Sequence, residues 1–278
     1  MKTALIQLTS SNNPAANLRK VEALIRTASN GGAKFVLTPE TTNIISASRK
    51  HQTAVLHTEG SDPTLKHLCK LADALNIWLL IGSLALKTND ADARFANRAF
   101  LIAPNGEIQA RYDKIHMFDV DLGSGEAYRE SAAYRPGNSA TLAKTPIGNI
   151  GMTICYDMRF PELFRTLAQG GAEILAVPAA FTVPTGRAHW HTLLRARAIE
   201  TGCFVLAPAQ VGSHDDGGNP RRQTYGHALA VSPWGQILAD GGETEGVTFV
   251  DIDLNEVVRA RAKIPSLEHD REFELFEA

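Results

Sequence analysis

Three residues of chemically active types, Cys155, Glu40 and Lys114, each stand where a strand-like run of the sequence ends. A thiolate is a nucleophile, a carboxylate can act as a general base, and a fixed ammonium can stabilise an oxyanion. This combination suits acyl transfer through a covalent intermediate, in which one difficult step becomes two easier ones. We therefore treat these residues as candidates for one catalytic site.

Cys155 differs in its surroundings from the other cysteines of the chain. An apolar run ends at Ile154, and a helix-like stretch begins at Pro161. A helix N-terminus favours negative charge, so we expect the thiolate to be accessible here. A free thiol titrates near about 8.5, so a neighbouring base is still needed. Cys69 and Cys203 lie in apolar helix and strand patterns, which predict small core residues.

Length, charge and cysteine content limit the class of protein. The chain has 278 residues, and we predict that residues 1–278 form a single domain. The 28 basic and 30 acidic residues give a net charge of −2, which gives no support for nucleic acid or a membrane surface as partner. No apolar run approaches the ~20 residues of a membrane span. The short apolar N-terminus and scattered cysteines favour a cytoplasmic protein with free thiols.

Strand-like and helix-like segments alternate in two similar halves, a pattern typical of a layered α/β protein with helices outside two sheets. For the first half we predict strands over 3–8, 34–38 and 77–82, helices over 17–29 and from Asp62-Pro63 onward, and a hairpin over 97–112. For the second half we predict a strand running into Cys155, helices over 161–169 and 188–201, strands over 173–178 and 203–209, a hairpin over 224–239, a final strand over 247–252 and a charged helix over 254–263. The polar, glycine-rich segment 213–222 has two interpretations, a mobile lid and a tolerated surface insertion.

The order Glu40, Lys114, Cys155 and the long matches around these residues resemble the nitrilase superfamily of carbon–nitrogen hydrolases. The resemblance is closest to the branch that contains deaminated glutathione amidase and omega-amidase. It covers almost the whole chain and implies an αββα four-layer sandwich. The matching stretches are Lys114-Ile-His-Met-Phe-Asp, Ile154-Cys-Tyr-Asp-Met-Arg-Phe-Pro-Glu, Ala188-His-Trp, Leu194-Arg-Ala-Arg-Ala-Ile-Glu-Thr and Tyr225-Gly-His with Pro-Trp-Gly beyond it.

The resemblance also implies a role for each residue. Cys155 would be the nucleophile, Glu40 the general base with a pKa that burial raises toward neutrality, and Lys114 the cation for the oxyanion, helped by the backbone N–H of Tyr156. Glu130 would position Lys114 and the substrate or water; Glu126 lies nearby in the sequence, and a plain loop carboxylate is the alternative. No cofactor and no metal are required.

Substrate contacts follow from the same resemblance. Arg159 would hold the 2-oxo-acid end of a small amide, because guanidinium is the best planar partner for a carboxylate. Its alternative is an ion pair with Asp157 or Glu162. Phe181 and Thr185 would line the pocket, and core packing is the alternative for Phe181.

The implied reaction is cleavage of the terminal amide of a small 2-oxo-acid amide through a cysteine thioester, with release of ammonia. Deaminated glutathione is favoured as substrate, because the tyrosine that often follows the glutamate in omega-amidases is missing from residues 41–49. Omega-amidase activity on 2-oxoglutaramate or 2-oxosuccinamate is the alternative. Arg187 and His191 also depart from the pattern of relatives, which tend to have Pro and Glu there. Arg187 could meet a second carboxylate on a longer substrate.

Other classes of function have weaker support. His189 and His191 are two residues apart and point to different faces of a helix, and no zinc spacing accompanies them. Nothing local supports a Cys–His–Asn protease that would use His116, His189 or His227. A catalytically silent binding protein on the same fold is the alternative of another class. We expect a small-molecule partner and a homodimer or higher homo-oligomer, formed through the 256–261 helix and the tail from Glu268.

Overall fold

The computed structural model describes residues 1–123, 127–217 and 222–277. Its strands, numbered in chain order, are β1 (Lys2–Gln7), β2 (Phe35–Leu37), β3 (Trp78–Leu86), β4 (Ala96–Ile102), β5 (Ile108–Asp113), β6 (Asp119–Asp121), β7 (Ala127–Arg129), β8 (Thr141–Thr145), β9 (Gly148–Met152), β10 (Ile174–Ala176), β11 (Phe204–Ala207), β12 (Val211–Ser213), β13 (Gln223–Tyr225), β14 (Leu229–Val231), β15 (Ile237–Asp240) and β16 (Gly246–Asp251). The α-helices are α1 (Pro14–Asn30), α2 (Arg49–Val55), α3 (Pro63–Leu75), α4 (Pro161–Gln169), α5 (Val183–Thr201) and α6 (Asn255–Lys263). Short 3₁₀-helices span Glu130–Ala132, Cys155–Arg159 and Ser266–Glu268.

Two six-stranded sheets repeat one pattern. The first has the order β16-β1-β2-β3-β4-β5 and the second the order β15-β14-β11-β10-β9-β8. Each has three parallel strands at its centre and antiparallel strands on both sides. The central strands are buried along almost their whole length, as expected for parallel strands covered on both faces.

The side chains of β1 show how the layers stack. Leu5 belongs to the apolar cluster that joins the two sheets, which includes Ile174 of the second sheet and extends to α4 and α5. Ala4 and Ile6 point the other way, into a cluster with Val21 of α1 and with α3. Successive strand residues face opposite sides, so each sheet is covered by its partner sheet on one face and by helices on the other. The predicted αββα four-layer sandwich is confirmed.

The main difference from the predicted elements lies in the hairpin over 224–239. The segment breaks into β13, which pairs with β12 in a separate two-stranded sheet, and β14, which pairs with β15 in the second large sheet. The break comes at Gly226 and His227, both of which have positive φ angles, so the chain cannot continue as one strand. Two helices also differ: α5 begins at Val183, with Pro184 in its first turn, and the short polar helix α2 was not predicted. The short strands β6, β7, β8 and β12 were not predicted either.

No helix within the described residues has both the length and the apolar character needed to traverse a bilayer.

Candidate active site

The loops that follow β2 and β10 are held together by the close packing of Gly82 in β3. A Cβ atom at this position would lie 2.0 Å from the Thr38 carbonyl oxygen and 2.4 Å from Cβ of Pro178. The Pro178 carbonyl in turn accepts a hydrogen bond from the Cys155 backbone N–H at 2.9 Å. Only glycine allows this approach, which brings strand ends of the two sheets to one place.

Cys155 stands on a sharp turn after β9. It is the first residue of the 3₁₀-helix Cys155–Arg159, and its φ of 50° lies in the left-handed region. This conformation costs a non-glycine residue about 1–2 kcal/mol, so surrounding contacts must hold it. The side chain is only 6% exposed. The turn directs the thiol toward the Glu40 carboxylate, within reach of a side-chain hydrogen bond.

Glu40, Lys114 and Glu130 form a buried charge cluster with Cys155. Nζ of Lys114 lies 2.9 Å from Oε1 of Glu40 and 2.8 and 3.1 Å from the two carboxylate oxygens of Glu130. The backbone N–H of Ala180 donates to Oε2 of Glu40 at 2.9 Å. The structure therefore brings the four predicted residues together from both sheets and from the 3₁₀-helix at Glu130.

The pKa directions in the cluster differ from two expectations of the sequence. Burial by itself raises the pKa of Glu40, but the charge and hydrogen bond of Lys114, together with the Cys155 hydrogen bond and the charge of Arg222, outweigh it, and the net pKa lies below the usual value. Burial first, and the Glu40 carboxylate second, raise the pKa of the Cys155 thiol well above its usual value, and Lys114 offsets only part of this. The expected accessible thiolate and the expected raised glutamate are both wrong for the free site. It holds a protonated thiol beside an ionised carboxylate.

Asn97 is a site residue that the sequence reasoning missed. It lies in β4, is 1% exposed, and its Nδ2 donates to Oε1 of Glu40 at 2.9 Å and to Oε1 of Glu130 at 3.2 Å. Its backbone carbonyl also accepts from the Lys114 N–H at 3.0 Å. One amide thus fixes both carboxylates that contact Lys114. The available signal was a lone amide near the start of a strand that is apolar apart from its neighbour Arg98.

Asp157 connects the cysteine turn to the lysine loop. The fully buried carboxylate accepts from the Ile154 N–H at 2.8 Å, from the Tyr112 hydroxyl at 2.7 Å, and from the His116 N–H at 3.0 Å, and lies 2.7 Å from His116 Nδ1. Because Tyr112 and His116 flank Lys114 in the sequence, the contacts fix the lysine relative to the nucleophile. Burial first, then the charge of Asp157, raises the pKa of Tyr112 well above its usual value, which keeps the hydroxyl protonated.

Arg159 takes neither of the ion-pair partners considered from the sequence. Within the described residues it forms no ion pair with Asp157 or Glu162; its Nη2 lies 3.2 Å from Nδ1 of His189. Its guanidinium stands 5.5 Å from the ring centre of Phe181 and 5.8 Å from that of Tyr156. These contacts place a positive charge against an aromatic wall.

The remaining residues of the sequence prediction are placed less centrally. The Thr185 hydroxyl lies 2.7 Å from the Thr182 hydroxyl in the first turn of α5, and in the described part of the chain it touches none of the charged cluster. Arg187 is exposed. Glu126 lies outside the described residues.

The segment 213–222 is described at its two ends only, since residues 218–221 lie outside the described residues. At one end His214 is buried, and burial lowers its pKa to about 4, so the ring is neutral and hydrogen-bonds Ser10 and Thr224. At the other end Arg222 Nη2 donates to the Ala180 carbonyl at 2.8 Å. Arg222 therefore adds a positive charge close to Glu40.

Comparisons with known proteins show which family the chain resembles. Residues 2–262 match the model of the carbon–nitrogen hydrolase family. A deaminated glutathione amidase of Yersinia enterocolitica is 42% identical over 271 residues, which cover 96% of this chain and 92% of that protein. Saccharomyces cerevisiae Nit3, a member of branch 10 of the nitrilase superfamily, has a TM-score of 0.83 and 28% identity and covers 97% of this chain and 96% of its own. A mutant of the amidase from Nesterenkonia sp. AN1, solved after Michael addition of acrylamide at its active site cysteine, has a TM-score of 0.76 and 26% identity over 95% of this chain and 98% of its own.

Proposed function

Because the chain belongs to the carbon–nitrogen hydrolase family, we propose that it hydrolyses the amide of a small 2-oxo acid, with deaminated glutathione as the preferred substrate. The observation that carries this proposal is the buried contact of Cys155, Glu40 and Lys114, which supplies a nucleophile, a base and an oxyanion cation in one place. The name of the Yersinia relative supports the choice of substrate.

The first half of the reaction forms a thioester. Glu40 takes the proton of Cys155 as the sulfur attacks the amide carbonyl carbon, and the carbonyl electron pair moves to oxygen. Lys114 and the backbone N–H of Tyr156 hold this oxyanion. The oxyanion collapses, the carbon–nitrogen bond breaks, and protonated Glu40 gives its proton to the departing amine, which is cysteinylglycine from deaminated glutathione and ammonia from 2-oxoglutaramate.

The second half of the reaction releases the acid. A water molecule gives a proton to Glu40 and attacks the thioester carbon, and Lys114 again faces the oxyanion. Collapse of this second intermediate breaks the carbon–sulfur bond, and Glu40 returns the proton to the Cys155 sulfur. The hydrogen bonds of Glu130 and Asn97 described above hold Lys114 and Glu40 in the same relative position through both halves of the reaction.

Charge balance in the cluster favours Glu40 as the base. Lys114 carries one positive charge, and Glu40 and Glu130 each carry a negative one. Transfer of the Cys155 proton to Glu40 moves a negative charge from oxygen to sulfur without adding one to the buried site. Transfer to water would add a charge in a low-dielectric environment, which is much less favourable.

We infer that Arg159 binds the 2-oxo-acid end of the substrate and that Phe181 and Thr185 line the pocket beside it. The guanidinium is half-buried against the Phe181 ring, and its contact with His189 leaves donors for a carboxylate. Arg187 is proposed to meet a more distant carboxylate, such as the one that deaminated glutathione carries at its other end.

Replacement of Arg159 by methionine is expected to raise KM for a 2-oxo-acid amide about 10- to 100-fold, because charged hydrogen bonds to the carboxylate contribute about 1.5–3 kcal/mol. Steady-state kinetics on the 2-oxo-acid amide and on a neutral amide of similar size measure the effect. Arg165→Met is the matched control, since Arg165 pairs with Asp270 away from the site. An equal rise in KM for both amides would contradict the assignment.

The proposed activity is tested by measuring formation of 2-oxoglutarate, the acid product of both substrates, from deaminated glutathione and from 2-oxoglutaramate with the purified protein, and with Cys155→Ala as the blank. A large preference in kcat/KM for deaminated glutathione is the expected result. A preference for 2-oxoglutaramate would make the protein an omega-amidase, and would remove the role proposed for Arg187. If neither substrate is hydrolysed, the alternative of a catalytically silent binding protein on a hydrolase fold would be favoured.

We also propose a homodimer, because exposed apolar side chains gather in the second half of the chain. Trp234 is 57% exposed, Lys263 lies over its ring, and Ile199 packs against the neighbouring Gly235. Val258 of α6 is 65% exposed. Large exposed apolar areas of this kind mark interaction surfaces.

Replacing Trp234 by aspartate is expected to shift the protein from dimer to monomer at micromolar concentration, because a buried charge at the centre of an interface is strongly unfavourable. Size-exclusion chromatography with light scattering gives the molar mass. Glu107→Lys, in the turn between β4 and β5, is the control. A wild-type protein that is already monomeric would contradict the proposal.

A further inference from the structure

A second group of side chains capable of binding a metal lies outside the charge cluster. It consists of His191 on α5, His227 in the turn between β13 and β14, and Asp240 at the end of β15. One donor atom from each residue lies within 4.8 Å of the other two. None of the three takes part in the chemistry proposed for Cys155.

The carboxylate stands between the two imidazoles. Nε2 of His191 lies 3.0 Å from Oδ2 of Asp240, and Nδ1 of His227 lies 2.9 and 3.1 Å from Oδ1 and Oδ2. In a tetrahedral zinc site with bonds of about 2.0–2.1 Å, neighbouring donor atoms are about 3.3 Å apart. Both nitrogen–oxygen separations are within a few tenths of an ångström of that value. Each imidazole nitrogen and the carboxylate are therefore already spaced as two ligands of one ion, and the two imidazole nitrogens lie within 4.8 Å of each other.

The backbone around His227 is fixed before any ion binds. Its φ of 55° lies in the left-handed region, which is uncommon for a residue with a side chain. Its N–H donates to the Gly242 carbonyl at 2.7 Å, and its carbonyl accepts from Nε1 of Trp190 at 2.8 Å. The ring stacks on Tyr225 with centroids 4.5 Å apart. These contacts hold the imidazole in the orientation that faces Asp240.

The donor set selects a class of metal. Two imidazole nitrogens and one carboxylate oxygen suit zinc and its first-row neighbours, whereas calcium and magnesium prefer sites built of oxygen. The carboxylate of Glu243 lies 3.9 Å from Nε2 of His227, the nitrogen that does not face Asp240. A ligating histidine usually donates its other N–H to such a carboxylate, and Glu243 is exposed and free to approach.

We propose that His191, His227 and Asp240 bind one divalent first-row transition metal ion such as Zn²⁺, with water completing the coordination. The ion would join α5 to the hairpin formed by β14 and β15. Because α5 also carries Thr185 and Arg187, this link would fix the helix that borders the proposed pocket. The proposal concerns metal binding and does not depend on the amidase reaction.

Zn²⁺ titration by calorimetry tests the site in tag-free protein that carries Cys155→Ala, so that the reactive thiol cannot bind the metal. We expect one ion per chain in this parent, and a loss of affinity of at least about 100-fold in His191→Ala and in Asp240→Asn, since loss of a direct ligand should cost no less than loss of an outer partner. Zn²⁺ should also raise the melting temperature of the parent and of neither variant. His67→Ala, which removes an exposed histidine paired with Glu22, should bind Zn²⁺ as the parent does.

Two results would overturn the proposal. One is the absence of saturable Zn²⁺ binding by the parent, which would leave a hydrogen-bonded His–Asp–His group. The other is binding that is unchanged in both ligand variants, which would place the ion elsewhere. Co²⁺ serves as a second probe, because its visible spectrum reports coordination geometry and the ligand variants should lose the tetrahedral bands.

Discussion

Replacement of Cys155 by alanine is expected to lower kcat/KM for amide hydrolysis by about 10⁴-fold or more, because loss of a catalytic nucleophile usually leaves only the residual effect of binding and the oxyanion site. Substrate binding should persist, since Arg159 and the aromatic wall are untouched. Initial rates of 2-oxoglutarate formation measure the first effect, and calorimetric titration with the substrate measures the second.

Cys69→Ala is the matched control, because Cys69 is a half-buried thiol on α3 in the outer apolar cluster. It should retain wild-type kinetics. Mass spectrometry after turnover should detect an acyl adduct on the Cys155 peptide only. Near wild-type hydrolysis by Cys155→Ala would exclude the thioester mechanism.

Glu40→Gln is expected to lower kcat about 10³-fold, because the variant cannot take the thiol proton or deliver it to the leaving amine. It should also lower the pKa of Cys155. The negative charge of Glu40 destabilises the nearby thiolate and so raises that pKa, whereas a neutral glutamine removes this effect and leaves the Lys114 charge in place. The variant should therefore form the thiolate at a lower pH and still hydrolyse amides poorly.

The titration of Cys155 separates these two effects. Ultraviolet absorbance of the thiolate against pH, with Cys155→Ala subtracted, should show a midpoint at lower pH in Glu40→Gln than in the wild type. Glu107→Gln changes an exposed carboxylate in the turn between β4 and β5 and should leave the midpoint unchanged. An upward shift in Glu40→Gln, or full activity of this variant, would contradict the role proposed for Glu40.

The protonated resting thiol has a consequence for selectivity. Cys155 becomes strongly nucleophilic only when its proton passes to Glu40. Lys114 then stabilises the oxyanion that the attack on a bound amide forms. A buried thiol in this state reacts slowly with solutes that do not occupy the pocket.

The sequence by itself determined the residues that meet and the layers that hold them. Apolar runs that end before Glu40 and at Cys155 predict strand ends, because a strand buried on both faces must be apolar and must stop where polar residues begin. The segment before Lys114 alternates apolar and polar residues instead, as a strand with one exposed face does. Apolar residues at helical spacing predicted α1, α3 and α4, because one face of each helix is buried. These signals are local, so they appear in one sequence without a structure.

Tertiary structure decided what depends on distance between segments far apart in the chain. Asn97 and Asp157 became visible as positioning residues only when the two sheets packed, since a single amide or carboxylate carries no signal of its partners. The pKa directions of Glu40 and Cys155 are sums of burial and charge terms of opposite sign, and their balance is set by ångström-scale separations from Lys114.

The group of His191, His227 and Asp240 also could not be predicted from the sequence, because it depends on contacts between segments far apart in the chain. Its members lie on a helix, a turn and a strand, so their spacing matches no linear metal motif. The left-handed turn at His227 and the pairing of β14 with β15 bring the donor atoms together. Sequence patterns record which face of an element is buried, whereas the packing of elements against one another fixes which side chains come within bonding distance.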